Sequence, residues 1–230
     1  MAADTTPSTN QRRRSVSLGE AAREFGRHPT PWLLAGAVAT TVVWRAMLGG
    51  LDVADAVVVL GYVAAFPFLE WVIHTSLLHW RPVRLGRVRL DPLVARKHRE
   101  HHADPRDVEL IFIPLPALAT AAAVIAAIAL LVPDRALGAT FAATAVTLGL
   151  VYEWTHYLVH TDYRPKTAPY RAIWRHHRLH HFKNENYWFT VTTASTADRV
   201  LRTQPAPGDV PTSPTATTAS AGLGETTRIG

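Results

Sequence analysis

The sequence predicts an all-α integral membrane protein in which four transmembrane helices carry a histidine-rich helical cap on the cytoplasmic side. Two observations predict this fold. Four long apolar runs lie in a chain of 230 residues whose mean hydropathy is only +0.04, because polar ends and basic loops offset the runs. In addition, ten of the 12 histidines fall into four short clusters that follow the second and fourth runs.

The apolar runs are expected to cross the bilayer as helices, since about 20 apolar residues at ~1.5 Å per residue span ~30 Å of hydrocarbon. A short break from Pro133 to Arg135 separates the third run from the fourth and predicts a tight helical hairpin. The predicted spans cover about residues 32–48, 53–73, 110–132 and 136–152.

The two ends of the chain are expected to lie outside the membrane domain, which covers residues 32–203. Residues 1–31 are polar and basic, and Ser17 to Glu20 is a candidate capping box that opens a short surface helix through about Phe25. A basic disordered tail is an equally good description of the first fifteen residues. Residues 204–230 are rich in Pro, Thr, Ser, Ala and Gly, which predicts a disordered tail.

The charge pattern predicts the orientation of the spans. Lys and Arg number 24 against 18 Asp and Glu, and they flank the apolar runs. This arrangement fits membrane topology better than a nucleic-acid partner, and the positive-inside rule places both termini and all four histidine clusters in the cytoplasm. The first run comes late and has a hairpin partner, so an uncleaved anchor is favoured over a signal peptide.

Two copies of the pattern His-x-x-His-His place three imidazoles at positions i, i+3 and i+4, which share one face of an α-helix. Three imidazoles directed at one point indicate a metal site. The chain contains no cysteine, so imidazole and carboxylate are the ligands left to such a site. The copies comprise His98, His101 and His102, and His177, His180 and His181.

A histidine pair precedes each of these copies. His156 and His160 have the i, i+4 spacing that directs both rings to one side of a helix. His74 and His79 are five residues apart and would diverge by about 140° on a regular helix. Both can reach one centre only if the helix ends between them or bulges in a π-type turn.

The two halves of the sequence resemble each other, because each has a helical hairpin, then Glu-Trp, then a histidine pair and a His-x-x-His-His copy. Such a repeat implies two metals or one shared centre. Glu70 and Glu153 are candidates to accept a hydrogen bond from a ligand ring, with a charge at the membrane surface as the alternative. His176 is expected in a supporting or surface position, and His28 is expected to be solvated.

The four clusters, HTSLLH, HREHH, HYLVH and HRLHH, resemble those of the fatty acid hydroxylase superfamily of membrane di-metal enzymes, over roughly residues 55–203. This superfamily includes fatty acid 2-hydroxylases, sterol oxidases and desaturases, and carotenoid hydroxylases. The spacing of all four clusters, and flanks such as EWVIH and EWTHYLVH, is similar to that of the 2-hydroxylases. Carotenoid hydroxylases usually have four residues within the third pair, where this chain has three.

The resemblance implies hydroxylation of a lipid C–H bond with O2, most specifically at the 2-position of a fatty acyl chain. It implies two metal ions, with iron expected for activity and zinc possible as the ion found. Electrons would come from a separate redox partner, ferredoxin or cytochrome b5-like, since a fused cytochrome b5-like domain is missing from the sequence. The implied ligands are His74, His79, His98, His101, His102, His156, His160, His177, His180 and His181.

The alternatives to an acyl-chain hydroxylase are a carotenoid or sterol hydroxylase of the same superfamily, and a non-enzymatic metal-binding or metal-transport membrane protein. The segment after the last cluster is a candidate mouth for the substrate, with amides for a head group and rings for an acyl chain. Interfacial aromatic residues that anchor a surface helix are the other interpretation. The candidates are Asn184, Asn186, Tyr187, Trp188 and Phe189.

Overall fold

The computed structural model describes residues 15–221 as a mainly helical protein. Its helices are α1 (Leu18–Phe25), α2 (Pro29–Met47), α3 (Val53–Ile73), α4 (Leu93–Ala103), α5 (Val108–Ile111), α6 (Leu115–Leu131), α7 (Arg135–His160), α8 (Ala168–Phe182), α9 (Thr196–Val200) and α10 (Pro214–Ala221). A π-helical turn, His74–Leu78, continues α3, and strand β1 (Val83–Leu85) pairs with β2 (Val88–Leu90). The all-α prediction missed this small hairpin.

Three helical segments of the described chain are long and apolar enough to cross a membrane, namely Val53–Leu78, Val108–Leu131 and Arg135–His160. Many of their large apolar side chains are exposed, as expected of a surface that faces lipid. The first predicted span corresponds to α2, which packs along α7 but contains three Thr, two Pro and one Arg. The crossing of the membrane by α2 stays a prediction.

The third predicted span begins later as an α-helix than the apolar run suggests. Pro114 disfavours helical geometry at the residue before it, so α5 ends at Ile111 and α6 starts at Leu115. The backbone N–H of Ile113, which this break frees from the helix, donates to the Glu153 carboxylate at 3.0 Å. A buried carboxylate on α7 thereby fixes the entrance to α6.

The predicted turn between the third and fourth spans is confirmed. Asp134 caps α7 by accepting from the backbone N–H groups of Ala136 and Leu137 at 2.8 and 3.2 Å. The two helices approach so closely that a Cβ on Gly138 would clash with the carbonyl oxygen of Ala129. Glycine is therefore required where α6 and α7 cross.

The ends of α2 and α3 away from the histidines are joined to α7 by a buried cluster, the Arg45 cluster, made of Arg45, Asp55 and Thr140. The guanidinium donates to the carboxylate of Asp55 at 2.9 and 2.6 Å and to the Thr140 hydroxyl at 2.8 Å. It also donates to the carbonyl oxygens of Gly49 and Gly50, each at 2.9 Å. This cluster ties three helices together at one end of the bundle.

The predicted N-terminal surface helix is confirmed as α1, with reciprocal hydrogen bonds between Ser17 and Glu20. Its last residue, Phe25, packs edge-on against Trp154 with ring centroids 5.0 Å apart. His28 is buried rather than solvated, because its ring stacks on Phe112 with centroids 4.1 Å apart. The basic tail predicted for the first residues falls on 1–14, outside the described residues.

The prediction of a disordered tail from residue 204 onward differs from the structure, which packs this segment against the cap. Val210 lies in a small core with Leu179 and Trp188. Ser213 donates from its backbone to the carbonyl of Lys183 at 2.9 Å and caps α10. A few apolar residues at the right places suffice to dock a segment that is polar on average, and residues 222–230 lie outside the described chain.

Candidate metal centre

The helix end at the first histidine pair has the predicted π-type geometry. His74 starts the π-helical turn, and the backbone N–H of His79 donates to the carbonyl of His74 at 3.0 Å, which is the i→i+5 bond of such a turn. The two rings lie nearly parallel, with centroids 5.1 Å apart. The prediction from the five-residue spacing is therefore confirmed.

All ten predicted ligands come together in two groups of five, and within each group one ring nitrogen per residue lies within 4.8 Å of all the others. Nine of the ten side chains are buried, and His79 is half-buried. Group A consists of His74, His79, His98, His102 and His180, and group B consists of His101, His156, His160, His177 and His181.

Group A is a ring of Nε2 atoms. His98 Nε2 lies 3.1 Å from those of His74, His79 and His102. His180 Nε2 lies 3.1 Å from that of His102 and 3.3 Å from that of His79. The nitrogens therefore converge on one point between the π-helical turn, α4 and α8.

Group B has the same construction around the end of α7. The Nε2 atom of His160 lies 3.2 Å from that of His101 and 3.1 Å from that of His177. The Nε2 atoms of His177 and His181 are 3.0 Å apart. His156 completes the group with its ring 5.0 Å from that of His177, measured between centroids.

Each half of the sequence contributes one histidine to the group that is formed mainly by the other half. His101, from the first His-x-x-His-His copy, belongs to group B, and His180, from the second copy, belongs to group A. The expectation that all three imidazoles of a copy meet at one point is wrong, because adjacent residues such as His101 and His102 diverge by about 100° on a helix. The i, i+4 pair of each copy stays together and the i+3 ring turns to the other group.

The nitrogen spacing fits a metal ion in each group. Nitrogens bound about 2.1 Å from one ion lie ~3.0 Å apart at right angles and ~3.4 Å apart at a tetrahedral angle. The observed separations of 3.0 to 3.3 Å fall in this range. One imidazole nitrogen carries a single proton or a single lone pair, yet His98 Nε2 has three Nε2 neighbours at 3.1 Å. Such crowding of nitrogens fits metal ligation better than a hydrogen-bonded core.

Burial keeps these imidazoles in the form that binds metals. It lowers the pKa of His79 to about 4, because the charged ring loses solvation. Burial, assisted by neighbouring imidazoles, also lowers the pKa well below its ordinary value for His98, His101, His102, His177, His180 and His181. A neutral imidazole has a free lone pair for a metal, so little proton release opposes binding.

Backbone carbonyls orient several of the ligand rings. His180 Nδ1 donates to the carbonyl of Tyr187 at 2.8 Å, and His156 Nδ1 donates to that of Ile111 at 3.1 Å. His74 has a backbone partner at Phe189. A bond from Nδ1 to an acceptor fixes the tautomer that leaves Nε2 free for a metal.

The two carboxylates predicted as acceptors for the rings have other partners. Glu70 accepts from the backbone and hydroxyl of Thr192 at 3.2 and 2.8 Å. Glu153 accepts from Ile113 through one oxygen, and its other oxygen has no hydrogen-bond partner within the described residues. Both carboxylates are buried and tie loops to the spanning helices, in place of the ring-orienting role expected of them.

Asp198, which was not among the residues predicted for the site, organises the segment after the last cluster. Its carboxylate accepts from the backbone N–H groups of Phe189 and Thr190 at 2.9 and 2.8 Å. It also accepts from the hydroxyls of Thr190 and Thr203 at 2.6 and 2.7 Å and pairs with the His176 ring at 3.0 Å. Burial opposes the charged form, yet these hydrogen bonds hold the pKa of Asp198 well below its usual value. His176 is buried where it pairs with this carboxylate, and no local pattern marks Asp198, since its partners lie between five and 22 residues away.

The five residues predicted to line the substrate entrance differ in their positions in the structure. Phe189 covers group A, with its ring 5.5 Å from that of His180 and 5.6 Å from that of His74, between centroids. Trp188 is in the core and Asn184 is buried, with its amide nitrogen donating to the carbonyl of Pro211 at 3.1 Å. These two therefore do not line an entrance, because their polar and apolar atoms are already used in packing. Asn186 is exposed and Tyr187 is half-buried.

The family comparison agrees with this geometry. The family model described as fatty acid hydroxylase matches residues 59–203, which include all ten histidines of groups A and B. The chain belongs to this family. The resemblance drawn from the four histidine clusters is thereby confirmed.

The curated relatives are fatty acid 2-hydroxylases of mammals. The protein from Mus musculus is 33% identical over 128 residues, which are 55% of this chain and 34% of that protein. The protein from Homo sapiens is 29% identical over 126 residues, which are 54% of this chain and 33% of that protein. The chain thus covers about a third of the length of these relatives. No solved structure matches it.

Proposed function

We propose that this protein is a membrane-bound di-metal oxygenase that uses O2 and external electrons to hydroxylate a fatty acyl chain at the 2-position. The observation that carries the proposal is the pair of all-histidine groups, each with five ring nitrogens converging at the end of apolar helices. Membership of the fatty acid hydroxylase family supports the lipid substrate.

Metal ions fit both groups. Iron would supply the redox chemistry that activates O2, although zinc can occupy the same ligands. The ten imidazoles would hold two such ions. Each group offers only neutral nitrogen ligands, so the protein contributes no negative charge to either centre through them.

The residues around group A exclude water from the reacting position. Phe189 closes one side of group A, and its backbone is held by the buried carboxylate of Asp198. Trp71 lies edge-on against Phe189, with ring centroids 6.1 Å apart, and donates its indole N–H to Thr203 at 2.9 Å. A dry, rigid wall of this kind would keep water away from the substrate C–H bond.

An apolar groove between α3 and α7 is a suitable place for the acyl chain. Its volume is about 270 Å³, and it is lined by Val59, Val63, Ala143, Thr144, Thr147 and Leu148. At ~1.5 Å per residue, Leu148 lies roughly 12 Å along α7 from His156, deeper in the membrane. A substrate hydroxylated next to its head group would place that group at the cap and its tail in this groove.

The molecule is oriented with its cap in the cytoplasm, where a separate protein supplies the electrons. The basic loops support a cytoplasmic location for the cap and both histidine groups, by the positive-inside rule. A separate ferredoxin or cytochrome b5-like protein would then deliver electrons on that side. His79, the half-buried member of group A, is the ligand nearest to such a partner's approach from solvent.

Lipid mass spectrometry tests the proposal. The full chain is expressed with a ferredoxin system in a host without 2-hydroxylated lipids, and 2-hydroxyacyl products are expected. His101→Ala and His180→Ala should abolish them, whereas His28→Ala, which removes a buried histidine outside both groups, should retain them. Hydroxylated carotenoid or sterol with unchanged acyl chains would identify another substrate, and 2-hydroxylation that survives both alanine variants would refute the catalytic role.

A further inference from the structure

The hairpin of β1 and β2 presents an unpartnered apolar face. Val83 pairs with Leu90 and Leu85 pairs with Val88, so all four side chains lie on one face of the two-stranded sheet. Their exposed fractions are 42%, 40%, 61% and 60%, respectively. A patch of this kind on a two-stranded ribbon is unusual unless something covers it.

The opposite face and the turn of the hairpin are cationic. Arg84 and Arg89 pair directly across the strands, and Arg87 lies in the turn beside Gly86, whose φ is +59°. Two like charges opposite each other destabilise a hairpin on their own. Apart from Arg89, which pairs with Asp91, the described residues provide no carboxylate for these arginines.

The base of the hairpin is fixed to the cap. Arg99 on α4 donates to the carbonyl oxygen of Trp80 at 3.0 Å and to the carboxylate of Asp91 at 2.6 Å. Asp91 also accepts from Arg89 at 3.0 Å. Arg99 thus fixes the chain to α4 just before β1 and just after β2, while the four apolar side chains project away from these hydrogen bonds.

The hairpin also follows closely on a helix that is able to cross the membrane. The segment Val53–Leu78, which is apolar enough to cross a bilayer, ends only a few residues before Val83. Half-exposed Trp80 stands between them, at the position where tryptophan anchors membrane proteins in the interface. At no more than ~3.6 Å per residue, the linker keeps the hairpin within roughly 18 Å of the end of the span.

We propose that the hairpin is a membrane-interface anchor that binds anionic phospholipid. Val83, Leu85, Val88 and Leu90 insert into the boundary between head groups and acyl chains, and Arg84 and Arg87 contact phosphate groups. An apolar face beside uncompensated arginines matches an anionic bilayer surface in both respects. The anchor would hold the loop between His79 and His98 against the bilayer, and it does not depend on the reaction that the histidines support.

The absence of cysteine from the chain allows a direct test with one engineered label. Leu85→Cys carries an environment-sensitive fluorophore on the hairpin, and Thr167→Cys carries it at an exposed control position in the cap. Each full-length protein is placed in lipid nanodiscs made of phosphatidylcholine alone or of phosphatidylcholine with phosphatidylglycerol. Lipids brominated on the acyl chain quench a fluorophore that has inserted.

The label at residue 85 is expected to shift to shorter wavelength and to be quenched, more strongly in discs with phosphatidylglycerol. Arg84→Gln with Arg87→Gln should weaken insertion by roughly tenfold or more, since each arginine near an anionic surface contributes about a fivefold preference. Quenching no greater than at residue 167 would overturn the proposal. The proposal would also be overturned if the arginine changes left insertion unaltered, or if the label were protected only when a soluble electron-transfer protein is added.

Discussion

Buried polar side chains gather at both ends of the helical bundle, in the Arg45 cluster at one end and in groups A and B at the other. The two ends differ in whether the chain itself supplies partners for these side chains. In the Arg45 cluster, every charge meets an opposite charge or a hydrogen-bond acceptor supplied by the chain itself. In groups A and B, like nitrogens face each other at 3.0 to 3.3 Å and the chain supplies nothing between them. A buried polar cluster whose groups all have partners within the chain stabilises the fold. A cluster whose groups lack such partners is a site for a ligand, here a metal ion.

The largest effect on metal content and activity is expected at His180, which the second half of the sequence contributes to group A. His180→Ala should lower the metal content of the purified protein by about half and reduce product formation by at least ~100-fold, because group A loses a ligand that no neighbour replaces. Metal analysis by mass spectrometry and turnover measure both. His176→Ala, which leaves both groups intact, should keep the metal, and full metal content in His180→Ala would contradict the assignment of group A.

The Arg45 cluster should respond in the opposite way, with loss of stability and no loss of metal. Asp55→Leu leaves the guanidinium of Arg45 without its carboxylate partner and is expected to lower the midpoint temperature of unfolding more than any other change in this cluster. Thermal unfolding in detergent measures the loss. Arg45→Leu combined with Asp55→Leu should recover much of it, and a double variant as unstable as the single one would show that the ion pair itself stabilises the bundle.

Asp198 lies between these extremes, because it stabilises a loop that also covers group A. Asp198→Asn should retain the metal but lower activity, with a cost of about 1–3 kcal/mol in stability as several donors lose a charged acceptor. Turnover and metal content of the same sample separate the two effects. Asp209→Asn, at an exposed position, is the control, and loss of metal in Asp198→Asn would show that the carboxylate supports the ligands directly.

The smallest effect is expected within the Arg45 cluster at its uncharged member. Thr140→Val removes a hydroxyl that bridges Asp55 and Arg45 and should cost about 1 kcal/mol, since the ion pair keeps its other contacts. Unfolding by heat measures this change. Thr144→Val, which loses only a bond to its own helix backbone, is the matched control and should unfold near the temperature of the unchanged protein.

Local geometry made several features predictable from the sequence. The five-residue spacing of His74 and His79 required the helix either to end between them or to bulge in a π-type turn, and the π-type turn is present. The Ser17 to Glu20 pattern indicated a capped helix, which is also present. The charged turn from Pro133 to Arg135 likewise separates two helices at the expected place. In each case the decisive interactions join residues at most five positions apart, so backbone periodicity alone determines the outcome.

Features that depend on distant partners were not predictable in this way. Val210 and Ser213 dock a segment of tail-like composition onto α8 and its end. Asp198 gathers donors from three stretches of the chain, and the carbonyls of Ile111 and Tyr187 orient ligand rings in place of the expected carboxylates. Composition reports average burial, and it contains no information on which particular atoms will meet.

The sequence by itself determined that ten histidines occur in four helical clusters beside apolar helices, because the spacing of residues on a helix is a local property. Only the tertiary structure decided how those histidines divide. His101 and His180 cross between the halves because α4 and α8 pack with their i+3 positions facing the opposite group. Which rings share a centre depends on how helices far apart in the chain approach each other, and no spacing along one helix encodes that.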